Sequence, residues 1–230
     1  MSLSSEEKSG NPAKKFLSWK GEIGVWEYYD KEKGENVQLD EKLYIVPLDE
    51  LSTIKGWHDA SQSGIYSNEV KFLNNEELSV RSFKGGEITK GLYQNIKGSL
   101  EGGKFSKSVY AAMLDSKGNI IEMVNISFKG SSLGSWIDAK VNIKEGRVLV
   151  LSKNPEIQKK GSTKYYVPII KVTQKREEIL KECTQLDEEL QLYLGGRKQE
   201  QQEFVPKVAQ APKAPEPVAV GEDDNLDLPF

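Results

Sequence analysis

Cysteine and histidine are almost missing from this chain, with one of each, Cys183 and His58, in 230 residues. A single thiol excludes an internal disulfide and a cysteine-built zinc cluster, and it suits a reducing cytoplasm. The lone histidine, in GWHDA between Trp57 and Asp59, reads as a structural or surface residue rather than a general base. Long apolar runs are missing too. No stretch of about 18 apolar residues occurs, which excludes a membrane-spanning helix. The opening MSLSSEEKSGNPAKK has no apolar core and reads as a flexible lead-in, not a secretory signal. No GxSxG, Walker, HExxH or CxxC motif is present. The acid pairs Glu76–Glu77 and Asp223–Asp224 have the chemistry to hold magnesium, but they fall in a polar turn and the tail, where solvated carboxylates are the expectation. The reading is a non-enzyme, with no cofactor and no metal. Cys183, on the apolar seam of a helix, reads as buried and inert.

What is present is charge, unevenly placed. The net charge of −3 divides into −6 over residues 1–80, +10 over 81–175 and −7 over 176–230. A basic middle between acidic ends is the asymmetry of a polyanion binder. Hydrophobic residues at 37% allow one globular domain with a core, plus some unstructured chain.

Along the chain, FLSWKGEIGVWEYY (16–29) is rich in aromatic and β-branched residues, and Gly21 and Gly24 inside it predict a bulged or sharply curved strand. DKEKGEN predicts a turn, and VQLDEKLYIVPL its return strand. Further strands are predicted at 64–72, 78–83, 105–114, 119–128, 147–152 and 163–173, with DSKG joining the 105–114 and 119–128 pair as a hairpin. KNPEIQKKGS predicts a long basic loop. Helices are predicted where Ile88, Leu92, Ile96 and Leu100 recur every four residues, and at SSLGSWIDAK behind serine caps. The clearest helix is 175–194, where Ile179, Cys183, Leu186, Leu190 and Tyr193 form a seam that packs on the body or joins two copies as a homodimer. Gly195 and Gly196 predict its stop.

The organisation expected is a flexible 1–15, a binding domain at 16–174, the helix at 175–194, a Pro-rich disordered linker at 195–221 and an acidic tip at 222–230. The fold class expected is mainly β: an OB-like barrel elaborated with extra strands and inserted helices.

Aromatic rings interleaved with cations suit single-stranded nucleic acid, because cations follow phosphates while rings stack on bases. The candidates are Arg81, Phe83, Lys84, Lys90, Tyr93, Lys104, Lys107, Tyr110, Lys153, Lys159, Lys160, Lys164 and Tyr166. Alternation puts Arg81 with Phe83 on one strand face, and Tyr110 with Lys104, Ser106 and Ser108 on the wetter face of theirs; Phe105 turns to the core and Lys107 is the anomaly there. Tyr165 and Tyr166 are predicted to point opposite ways, so only one of the two can stack on a base.

The chain ends GEDDNLDLPF. Asp223, Asp224, Asp227, Leu228, Pro229 and Phe230 resemble the acidic C-terminal tip of bacterial and phage single-stranded-DNA-binding proteins, with Leu228 where isoleucine is usual and Asn225–Leu226 interrupting the acids. The resemblance covers about eight residues. It implies an OB-fold that coats single-stranded DNA in replication, recombination and repair, and a tip that docks partners such as a polymerase, helicase or primase, nuclease or recombinase. The body is larger than the bacterial domain and more like the phage-encoded kind, acting in the host cytoplasm. A protein–protein adaptor and an RNA-binding OB protein are the alternative readings.

Overall fold

The computed structural model describes residues 10–39, 42–143 and 146–203, with the backbone path alone at 198–203. The tip and most of the linker lie outside the described residues. The fold is mainly β with a C-terminal helix, and among the described residues no helix is long and apolar enough to cross a membrane.

The strands are β1 Lys15–Lys20, β2 Val25–Asp30, β3 Glu35–Gln38, β4 Lys42–His58, β5 Ser63–Ser67, β6 Leu78–Ser82, β7 Gly86–Gly91, β8 Gly103–Leu114, β9 Ile120–Lys129, β10 Arg147–Lys153, β11 Gln158–Lys160, β12 Thr163–Tyr165 and β13 Pro168–Lys175. The helices are α1 Tyr93–Ile96, α2 Ser131–Lys140 and, after a 3₁₀ turn at Glu177–Ile179, α3 Leu180–Glu203. One large sheet runs β3-β2-β1-β9-β8-β4-β5-β6-β7, with β10 pairing both β4 and β13. All of its pairs are antiparallel except β1 against β9. β11 and β12 form a separate two-stranded hairpin.

The central element is β4. It spans 17 residues because three partners share its length: β10 at its start, β8 along most of it and β5 at its end. A bulge between Pro47 and Asp49 absorbs the proline, which has no N–H for the ladder. The hairpin β8–β9 turns where Asp115 accepts the backbone N–H groups of Lys117 and Asn119, and Gly118 takes φ +88°.

Several expectations are corrected. Residues 16–29 are two strands, because the chain reverses at Gly21–Gly24, where the Gly24 N–H bonds the Lys20 carbonyl. The return strand is likewise two, β3 and β4. Most of the four-residue repeat at 88–100 is not helix. Pairing with β6 draws Gly86–Gly91 into β7, leaving one short helical turn, and the same apolar residues serve a mixed strand and turn instead. α2 forms as predicted, but the position before it is Gly130, with no side-chain cap; the Ser132 hydroxyl bonds back to Lys129. α3 continues through Gly195 and Gly196. Each glycine costs a helix about 1 kcal/mol, and the Arg197 guanidinium, donating to Glu69 at 2.8 Å and lying over Tyr193, ties down the turn beyond them.

The inner face of the sheet carries the main core: Leu17, Trp26, Leu43, Ile45, Val109, Ala111, Val124, Ile126, Phe128, Leu149 and Leu151, closed by Trp136 of α2. A second cluster, Ile54, Ile65, Val70, Leu78, Val80, Ile96 and Leu100, fills the lobe built by β5–β7. On the outer face, the 3₁₀ turn and α3 together lay Ile179, Cys183 and Leu190 over Val46, Ala112, Leu114, Tyr110 and Met123. The seam of α3 thus faces the chain's own sheet, and Cys183 is buried there. α3 covers only half of that outer face, and the other half is the candidate site.

Candidate nucleic-acid interface

Alternation along each strand, combined with the registers, fixes which side chains share the uncovered half. On β4, Ile54 points inward, so Lys55 and Trp57 point outward. Their partners Lys104 on β8, and Tyr66 and Gly64 on β5, share that face. Arg81 lies opposite Tyr66, and the Phe83 N–H bonds the Gly64 carbonyl. On the other flank, Lys129 of β9 lies opposite Ser106, and Ser127 lies opposite both Ser108 and Ser18. Lys20 at the end of β1 and Phe16 further along it complete the face. From β6 to β1 it crosses six adjoining strands, about 24 Å at the usual strand spacing.

Its rings are open to solvent: Trp57 is 53% exposed, Tyr66 37% and Phe83 74%. Tyr66 and Phe83 lie against each other with centroids 4.6 Å apart. Phe83 reaches across because position 64 is glycine. A Cβ there would come within 3.2 Å of the Phe83 ring, a contact that demands movement. Exposed apolar rings of this size cost solvation unless something covers them.

Its cations are crowded. Lys55 and Lys104 are direct cross-strand partners, a like-charge pairing that opposes folding. Burial, the larger cause, holds the Lys55 ammonium below the ordinary lysine range, with Lys129 adding to it and Glu69 opposing it. Burial likewise lowers Lys129, helped by the charges of Lys104 and Lys20. Among the described residues Lys55, Lys104, Lys129 and Arg81 make no ion pair, whereas Lys20 lies 3.5 Å from Glu27.

The basic hairpin β11–β12 stands apart from this patch. Lys159 and Lys164 face each other directly, and both are exposed with Lys160. At its base Tyr166 is half-buried. Lys153 lies 3.7 Å over its ring and donates to the Ile23 carbonyl, while the Tyr166 carbonyl accepts from Trp19. A cavity of about 560 Å³ opens beside them, lined in part by Trp19, Trp26, Lys42, Lys153 and Tyr166.

The structure therefore divides the sequence candidates. Arg81, Phe83 and Lys104 lie on the face, with Lys84 exposed at the turn beside it. Lys90 is exposed at the β7 edge, 3.8 Å from Glu77. Three candidates are corrected. Tyr110 shares the face by alternation, but α3 covers it; it is 1% exposed, donates to Glu69 and has its phenol pushed up by burial and by that carboxylate. Its ring has no face left for a base. Lys107 points to the inner side, where its ammonium meets Glu50 at 2.7 Å and Ser52 at 3.0 Å. Tyr93 packs on Phe105 in the second core cluster. Sequence reasoning missed Lys55, Trp57, Tyr66 and Lys129. The first three stand in the acidic third of the chain, yet the alternation I-K-G-W-H against G-I-Y-S carried the signal.

No protein-family model, no curated protein and no solved structure matches this chain. Its chemistry must be read from the residues themselves. His58 bridges Ser61 and Glu101 and so ties two turns together. Glu76 accepts the N–H groups of Lys71 and Phe72, holding the turn after Val70. Among the described residues no three His, Cys, Asp or Glu side chains converge as a metal site. What the open face offers is flat apolar area beside unneutralised positive charge.

Proposed function

We propose that the protein binds single-stranded DNA without sequence preference on the open half of the outer face and takes part in DNA replication, recombination or repair as a non-enzyme. One observation carries the reading: Trp57, Tyr66 and Phe83 stand exposed on the same sheet face as the unpaired Lys55, Arg81, Lys104 and Lys129. Rings of this kind stack on unpaired bases, worth about 1–3 kcal/mol per base, while the cations follow the phosphates. Duplex DNA hides its base faces and gains only the second contribution.

The connectivity supports the finer reading of an OB-like barrel. β4, β8 and β9 form an antiparallel run, α2 follows, β10 returns against β4, and β13 pairs β10. That order fits the five strands of an OB-fold, with β1 and β2 added beside β9. OB-folds bind oligonucleotides across their second and third strands, between the loops after strands one and four. The counterparts here are β8 and β9, the β5–β7 excursion bearing Tyr66 and Phe83, and the basic β11–β12 hairpin. On the same reading Asp223, Asp224, Asp227, Leu228, Pro229 and Phe230 form a docking peptide: the Phe230 ring and α-carboxylate enter a partner's apolar pocket with a basic rim.

Titration with oligo(dT), duplex DNA and oligo(U), followed by tryptophan fluorescence, tests this. Of the four tryptophans only Trp57 is largely exposed. Quenching by oligo(dT) that disappears in Trp57→Phe is the expected result. Absence of quenching favours an adaptor, and stronger quenching by oligo(U) favours RNA.

A further inference from the structure

We propose that Lys55, Lys104 and Lys129, with the hydroxyl of Ser127, form a discrete subsite for one phosphate, and that this subsite fixes how a strand lies: phosphate toward β8–β9, bases toward Trp57, Tyr66 and Phe83. The inference rests on the single-strand reading above and goes beyond it by assigning the polar and stacking contacts to different flanks of one face.

Four observations converge. Lys55, Lys104 and Lys129 come from adjoining strands at neighbouring register positions: Lys55 opposite Lys104, and Lys129 opposite Ser106, two residues along β8. Among the described residues none of the three has an ion pair. Ser127, in the same patch, is 5% exposed and its Oγ is buried without a hydrogen-bond partner. A buried hydroxyl left unpaired costs free energy, and an anion drawn in by three ammonium groups supplies the acceptor it lacks once the side chains that seal the Oγ from solvent move aside. Finally, the rings gather mainly on one side: Trp57 on the far end of β4, Tyr66 on β5 and Phe83 just past β6, with none on β8 or β9 in this half and Phe16 of β1 alone on the opposite flank.

The neighbouring charges do not satisfy the cluster. Glu27 of β2 is held by Lys20. Glu69, between the open and covered halves, accepts from Ser108, Tyr110 and Arg197. Arg81 and the Tyr66 phenol flank Lys55 from β6 and β5. Bound phosphate favours the charged form of the crowded lysines, so their depressed affinity for protons is restored on binding. Binding then takes up protons at alkaline pH, below the ordinary lysine range, and weakens as pH rises through that range.

The phosphate has two possible sources, a polynucleotide backbone or a free polyphosphate, and the full-length protein distinguishes them. Affinities for oligo(dT) and for inorganic tripolyphosphate are measured across salt concentrations for the wild type, for Lys104→Gln/Lys129→Gln, for Ser127→Ala and for Trp57→Ala. The double variant should bind oligo(dT) about tenfold more weakly or worse. Its log–log salt slope should be shallower by about 0.7, the share of one phosphate on a single strand. Proton uptake, read by calorimetry in two buffers, should shrink with it. Ser127→Ala should lose about threefold in affinity with its slope unchanged, and Trp57→Ala should lose affinity at unchanged slope. A double variant with the wild-type slope, beside a weakened Trp57→Ala, overturns the subsite and leaves the DNA reading standing. Tripolyphosphate binding that is lost in the double variant, with no oligonucleotide binding at all, upholds the subsite and overturns the DNA reading. No binding of either probe overturns both. If the double variant melts early, Lys104→Gln alone carries the slope comparison.

Discussion

Strands β4, β8 and β9 present one outward face whose two halves have opposite fates. Under α3, that face carries Val46, Leu51, Tyr110, Ala112, Leu114 and Met123, all buried. Beyond the helix the same strands carry Lys55, Trp57, Lys104 and Lys129. A half that is apolar with a few bonded polar groups is covered by its own chain. A half that mixes rings with unpaired ammonium groups is left open, although covering it would have hidden more apolar area. Glu69 marks the border, serving Tyr110, Ser108 and Arg197 on the covered side and lying close enough to Lys55 to affect its titration.

The comparison breaks most severely at the cover. Leu190 is fully buried between α3 and the sheet, so Leu190→Ala should cost about 2–5 kcal/mol of stability. Urea unfolding measures it. A loss of about 0.5 kcal/mol or less, the value of a surface substitution, would falsify the docking of α3. Oligo(dT) affinity at temperatures where the variant is folded should stay within about twofold of wild type, since the open half is untouched.

On the open half, Trp57→Ala and Phe83→Ala should each lower single-strand affinity by about 5- to 150-fold, the equivalent of one lost stacking contact. Thermal melting should barely change, because both rings are solvent-facing. Tyr110→Phe gives the reverse contrast: it leaves Glu69 one donor short and lowers stability by about 1 kcal/mol, with little change in binding.

A third, smaller effect concerns Glu50. Burial works to raise its carboxyl, but bonds from Lys107, Lys140 and Trp136 outweigh that and hold it below the ordinary carboxylate range. A group depressed in the folded state stabilises fully above its unfolded value, about 4.3, and the contribution fades as pH falls through the lower folded value. Glu50→Gln should therefore flatten the acid limb of a stability–pH curve below about pH 4.5, read by thermal melts in a buffer series.

The smallest effect expected is that of the tail. Removing 222–230 takes away Glu222, Asp223, Asp224 and Asp227, acids that on the proposed reading would compete with DNA for the basic face. Affinity should rise a few-fold at low salt and not at high salt. Identical low-salt affinities with and without the segment would show that the acids do not reach the face.

The covered and open halves also explain what was legible in the sequence. The strands at 78–82, 103–114 and 120–129, helix 131–140 and the seam of α3 follow from periodicity, because each buries one face of a regular element. The placement of Arg81, Phe83 and Lys104 follows from the same alternation. Tyr110 misled because alternation reports which face a residue takes and says nothing of what lies upon it; the cover arrives from a helix some 70 residues later, by the difference between Tyr110 and Leu180. Lys107 misled because its partner Glu50 comes from another strand and its neighbours Trp136 and Lys140 from a helix. Lys55, Trp57 and Tyr66 escape a segment-wide charge balance because it averages them with distant acids. Two glycines in α3 predict a stop, but Arg197 anchors the helix beyond them.

The parallel pairing of β1 with β9 has a consequence for how the chain is made. Lys15–Ser18 find their partners at Val124–Ser127, more than a hundred residues downstream. During synthesis the amino-terminal hairpin therefore leaves the ribosome with Leu17 and Trp26 lacking the strand they lean on, and waits several seconds at about 5–20 residues per second before it can dock. Long-range closure of this kind is slow. Of the described strands β1 is thus made early and paired late, and until Val124–Ser127 emerge its hairpin stands as an orphaned, tryptophan-bearing ribbon.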